Sequence, residues 1–140
     1  MARLQTEPLS IEDAAAAVRS DADGAVALFV GTVRDRSAGR RVRYLEYEAY
    51  DAMAMRQLAR LERETVARFP GIRAVDIRHR TGRVDIGQPS VIVAVAAEHR
   101  AAALSACSHV IDELKRTVPI WKKEHFEGGA CWIEGPPGAP

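Results

Sequence analysis

The sequence predicts one α+β domain with a mostly antiparallel sheet and three helices. Three observations lead there. At 140 residues the chain has room for one compact core, given roughly 100–200 residues per domain. Its apolar spacing switches repeatedly between strict alternation and helical periodicity, and the strand-like segments come in pairs between the helix-like ones. That order favours antiparallel pairing over a doubly wound parallel sheet.

The elements follow in turn. Arg3 to Gln5 can add a short strand. Ser10 with Asp13 three residues on forms a capping signal that opens an alanine-rich helix over Ile11 to Arg19. After the turn Asp21-Ala22-Asp23-Gly24, Ala25 to Val33 is too short and too β-branched at its ends for a helix and reads as a buried central strand. Arg34 to Arg41, with four arginines and one aspartate, reads as an exposed basic loop. Val42 to Tyr50 alternates, placing Leu45, Tyr47 and Ala49 on one face of a strand. Asp51 then caps a helix carrying Ala54, Leu58, Leu61 and Thr65 at helical spacing, and Pro70-Gly71 stops it.

In the second half, Val75, Ile77 and His79 alternate with Asp76, Arg78 and Arg80, predicting a half-buried strand before a turn-rich stretch around Gly82 and Gly87-Gln88-Pro89. Val91 to Ala97 is a second buried strand. Leu104, Cys107, Ile111, Leu114 and Val118 form the apolar stripe of a helix over Arg100 to Thr117, which Pro119 ends. Ile120 to Phe126 and Ala130 to Glu134 close the chain as a hairpin about Glu127-Gly128-Gly129. The domain is expected to span 1–135, with 136–140 a flexible Pro-rich tail outside any ladder.

Composition narrows the function. A net charge of +1 removes the global field of a nucleic-acid or membrane binder, so any anion site must be local. The longest apolar runs, Ala25 to Val30 and Val91 to Ala97, fall far short of the ~20 residues of a membrane span. No secretory segment opens the chain and two distant cysteines form no disulfide framework, which predicts a cytoplasmic, reducing location. Cys107 reads as a core residue, and Cys131 has no CxxC partner. His79, His109 and His125 make no zinc spacing, and no Gly-rich phosphate loop is present; no cofactor is expected.

The basic residues are unevenly used. Seventeen of the twenty are arginine, and the three lysines, Lys115, Lys122 and Lys123, all fall among the last four basic positions. Arginine is a permanently charged fork, whereas lysine is a compact ammonium that can sit at a reacting centre, so the pattern marks positions where arginine will not serve. On the expected strand Ile120, Lys122, Glu124 and Phe126 share one face, and Trp121, Lys123 and His125 the other; neither is a plain core face. Lys115 has a structural alternative, snorkelling and pairing with Asp112. His99-Arg100, where a strand gives way to a helix, suits an anion. Arg34 ends the other central strand, and if the two strands are neighbours these basic groups could face one cleft.

Gly31-Thr32-Val33-Arg34, Glu98-His99-Arg100, and Leu114-Lys115 followed by Pro119-Ile120-Trp121-Lys122-Lys123-Glu124 resemble the family of molybdopterin synthase catalytic (large) subunits, MoaE. Asp23-Gly24-Ala25, His79-Arg80-Thr81-Gly82 and Trp132-Ile133-Glu134 extend the likeness over nearly the whole chain. The resemblance implies an α/β hammerhead-type fold and a homodimer, a heterotetramer when each end holds a small ubiquitin-like sulfur carrier. The carrier's Gly-Gly C-terminus, as a thiocarboxylate, would donate sulfur to cyclic pyranopterin monophosphate, two successive carriers giving the two dithiolene sulfurs.

By motif position the resemblance makes Lys115 and Lys122 the catalytic lysines. It assigns substrate binding to Thr32, Val33, Arg34, His99, Arg100, Lys123 and Glu124. A lysine keeps its ammonium at neutral pH unless burial shifts it, which casts Lys115 as an acid and electrostatic stabiliser. The family often carries a basic residue shortly after the position of Glu134, where this chain has Gly135-Pro136. Two rivals stay open on residues alone: an anion or nucleic-acid module using Arg34 to Arg43, and a silent homologue that only docks the carrier.

Overall fold

The computed structural model describes residues 1–133, so Glu134 and the 136–140 tail lie outside the described residues. Its elements are β1 (Arg3–Gln5), α1 (Ile11–Val18), β2 (Ala25–Thr32), β3 (Arg36–Ser37), β4 (Arg40–Ala49), α2 (Asp51–Arg68), β5 (Ile72–Arg80), β6 (Gly82–Asp85), β7 (Pro89–Ala97), α3 (Arg100–Thr117), β8 (Ile120–Phe126) and β9 (Gly129–Ile133). Strand pairs separated by helices thus produce the expected α+β architecture. All strand pairings are antiparallel except β1 with β5.

One sheet runs β1-β5-β7-β2. Strand β7 sends Val91, Val93, Val95 and Ala97 into a core shared with α2 and α3. Its alternate residues Ile92, Ala94 and Ala96 meet Ala14 and Val18 of α1 on the other face. Burial on both faces explains why this segment is an unbroken apolar run rather than an alternating one. The second sheet runs β3-β4-β8-β9, with β6 also on β4, and closes over Val33, Val42, Leu45 and Val84.

Several expectations are corrected. The stretch Arg34 to Arg41 is no simple loop: β3 pairs with the start of β4 across Ala38 (φ 50°) and Gly39 (φ 76°), two consecutive left-handed residues of the kind that match hairpin twist. Tyr50, not Asp51, is the N-cap of α2, and Asp51 lies in its first turn. Strand β5 is buried on both faces from Val75 onward, because α1 covers Asp76 and Arg78, and their ion pair (2.7 Å) joins the Met1 amine.

Leu104 is 62% exposed, outside the stripe it was expected to share. The buried side of α3 is Ala103, Ala106, Cys107, Val110, Ile111 and Leu114. Its small residues let α3 lie on β2 and β7. Leu104, about 100° further round from Ala103, then faces outward. Strand β6 has no counterpart in the expected elements, since four residues holding one buried valine, Val84, carry too little pattern to read. Among the described residues no helix is long and apolar enough to cross a membrane.

Candidate active site

Where the C-terminal half of α3 meets the ends of β2, β5 and β7 and the inner face of β4 and β8, the two sheets leave a cavity of about 680 Å³. Strand β2 delivers Thr32 and, just beyond its end, Arg34; the β3 hairpin adds Arg36. Lys115 reaches in from the last turn of α3, and β8 contributes Lys122 and Glu124 from the same face, as strict alternation requires. Gly31 sits at a register shift in the β2–β7 ladder, and a Cβ there would fall 2.7 Å from Val91 Cγ1, so the backbone can approach β7 only without a side chain.

The site is cationic, four basic side chains against the Glu124 carboxylate. Arg34, Arg36, Lys115 and Lys122 make no ion pair within 4.0 Å among the described residues, so the alternative pairing of Lys115 with Asp112 does not form. Burial pulls the Lys122 ammonium below the ordinary lysine value; Glu124 opposes the shift, while Lys115 and Arg34 add to it by repulsion. Lys122 therefore senses all three groups. A cluster of fixed cations with one buried carboxylate, partly shielded from water, is suited to hold anionic reactants and to stabilise charge that moves between them.

The floor of the cavity is neutral and includes residues the sequence reading did not place in the site. Tyr47 and His79 meet edge to face with ring centroids 5.0 Å apart. Ser90 donates to Gly31 O at 3.2 Å and lies in hydrogen-bond reach of the Tyr47 hydroxyl, whose pKa burial raises. Buried His79 has its imidazole pKa lowered to about 4 by desolvation, against the opposing effect of its bond to Arg80 O. A signal for His79 was present, since it continues the face of Val75 and Ile77.

The His79 shift makes a prediction. Unfolded, the ring takes a proton near pH 6.5, and folded only near pH 4, so protonation favours the unfolded state between those values. Its contribution to stability is complete above pH 6.5 and falls as pH drops toward 4. Denaturant unfolding at pH 7.5 and pH 5 should show a loss of about 2 kcal/mol that His79→Phe removes. Equal pH dependence in both proteins would contradict the shift.

The remaining candidate residues lie elsewhere. Val33 is buried in the second core, with its N–H on Gln88 O and its carbonyl accepting from Gly87 N, and sends no side chain into the cavity. Lys123 faces the other side of β8, its ammonium 5.5 Å from the Trp132 ring centroid. His99 and Arg100 are exposed at the N-terminal end of α3. The two central strands are indeed neighbours, but β2 and β7 are antiparallel, Ala25 facing Ala97 and Thr32 facing Pro89, so Arg34 and His99-Arg100 lie at opposite ends of the sheet. One cleft within one chain cannot hold both. Fifteen residues of helix, roughly 22 Å, also separate Arg100 from Lys115.

Comparison with known proteins agrees with the architecture. The family model described as MoaE protein matches residues 4–117. The molybdopterin synthase catalytic subunit of Pyrococcus abyssi is 43% identical over 129 residues, covering 92% of this chain and 86% of that protein. The longer one from Oryza sativa subsp. indica is 52% identical over 117 residues, covering 84% of this chain and 60% of its own length. A crystal structure of molybdopterin synthase from Staphylococcus aureus superposes with a TM-score of 0.90 at 37% identity, over 94% of this chain and 95% of that one. The chain belongs to the MoaE family, the catalytic subunits of molybdopterin synthase, enzymes of sulfur transfer in molybdopterin formation.

Proposed function

We propose that this chain transfers sulfur from the thiocarboxylated Gly-Gly C-terminus of a small ubiquitin-like carrier to cyclic pyranopterin monophosphate, in the Arg34–Lys115–Lys122 cavity. The observation that carries the reading is the set of four basic side chains around one pocket, none in an ion pair among the described residues. Both reactants are anionic. Arg34 suits the substrate phosphate, because its fork matches phosphate oxygens, while Lys115 and Lys122 supply compact ammonium groups near the attacking sulfur and can give a proton as charge develops. The thiocarboxylate sulfur is itself the nucleophile, so no cysteine is needed; Cys107 is buried with its thiol pKa pushed up to about 11.

His99 and Arg100 enter this reading through a second copy. In the homodimer that the family likeness implies, the pair at the far end of α3 serves the cavity of the other protomer, where it adds donors for the phosphate. We place the protein in the cytoplasm, as a heterotetramer with two carriers and without nucleic acid or membrane. In the basic hairpin Arg36 lines the cavity, and Arg40 packs 4.1 Å over the Phe126 ring. Residues 1–135 act as one catalytic domain.

Calorimetric titration with cyclic pyranopterin monophosphate tests the reading against a silent docking role. Binding should weaken about 10- to 100-fold in Arg34→Ala, the loss of a charged hydrogen-bonded contact, and should fall with added salt. Binding of the carrier with none of the pterin would leave only docking.

A further inference from the structure

We propose that His79 is a further substrate-binding residue, whose Nε2 accepts a hydrogen bond from an N–H group on the heterocyclic part of the substrate. The inference rests on the reading of the cavity given above and assigns recognition of the ring system, which the basic rim does not provide. Arginine and lysine only donate, so the rim satisfies a phosphate but none of the N–H groups of a pterin. Acceptors have to come from the other groups of the cavity, the Glu124 carboxylate on β8 and the neutral floor.

His79 has the required chemistry. It lies on the cavity wall, only 5% exposed, at the end of a face that otherwise carries Val75 and Ile77. Its Nδ1 is 2.7 Å from Arg80 O. A carbonyl only accepts, so the proton sits on Nδ1, the tautomer is fixed, and Nε2 is left with its lone pair. Nε2 has no hydrogen-bond partner among the described residues and is not one of the sealed, unpartnered atoms, so its lone pair is open to the cavity. The Tyr47 ring, at an interplanar angle of 72°, holds the imidazole plane. Burial keeps that imidazole uncharged at neutral pH, so the acceptor is not lost to protonation.

The test uses the full-length wild-type protein with its histidines labelled by ¹⁵N, titrated with cyclic pyranopterin monophosphate at pH 7.5. The Nε2 resonance of His79, identified by its absence in His79→Phe, should move upfield as the lone pair engages a donor. In turnover with the thiocarboxylated carrier, His79→Phe should raise KM about tenfold, the loss of one neutral hydrogen bond, with kcat within about threefold. If His79→Phe does not fold, through-bond assignment of the wild-type ring keeps the titration decisive. An unmoved Nε2 resonance in a wild type that binds and turns over the pterin would overturn the role of His79 alone. A wild type that neither binds nor turns it over would overturn the cavity reading as well.

Discussion

Lys115→Ala is expected to fold like the wild type and to lose sulfur transfer by about 10²–10³-fold or more, the scale on which removing one preorganised charge-stabilising group acts. Lys115 is exposed and makes no ion pair among the described residues, so its removal leaves no buried partner behind and the melting temperature should hardly change. Lys115→Arg is the sharper probe. It keeps the charge but replaces a compact ammonium by a planar fork that cannot give up its proton, and transfer should fall nearly as far. Single-turnover rates with preformed carrier complex read this directly. Near-normal transfer in the arginine variant would show that Lys115 contributes charge and nothing more.

The second large effect is complementation. Lys115→Ala damages a cavity from within its own chain, whereas Arg100→Ala, on the reading of a shared site, damages the cavity of the partner copy. Each homodimer should be strongly impaired. After the two are mixed and subunits exchange, a heterodimer carries one cavity with both defects and one with neither, so roughly a quarter of wild-type activity should return under random exchange. Mixing Lys115→Ala with Lys122→Ala should restore activity in no heterodimer, because both defects stay within the cavity of their own chain. Equal outcomes for the two mixtures would place His99-Arg100 outside the site.

Much of this was legible in the residues. Helix α2 announced itself through Ala54, Leu58, Leu61 and Thr65, all buried. Strand β7 did so through an apolar run with no polar face. The concentration of lysine near the C-terminus pointed to two groups that the fold does bring together, Lys115 and Lys122, four turns into α3 and one strand beyond it. What could not be read was which strands are neighbours. The sequence favoured antiparallel pairing, but only the observed adjacency of β2 and β7 shows that this pairing sends their C-terminal ends apart and moves His99-Arg100 away from Arg34. The basic hairpin was hidden for a different reason: its strand β3 is two residues long, and a polar run carries no periodicity. His79 was visible as a residue on an apolar face, yet its role depends on Tyr47, Ser90 and Arg80, which lie on three different segments or at a strand end.

The most direct measurement follows the sulfur. A carrier bearing ³⁵S in its C-terminal thiocarboxylate, cyclic pyranopterin monophosphate and the wild-type protein are combined, and the label is located after single and repeated turnover. The label is expected to pass into the pterin, reaching two sulfurs per product, and to stay on the carrier when Lys115→Ala replaces the wild type. Label that remains on the carrier, or leaves as free sulfide, while the wild-type complex is formed and the pterin is bound would contradict sulfur transfer in this cavity.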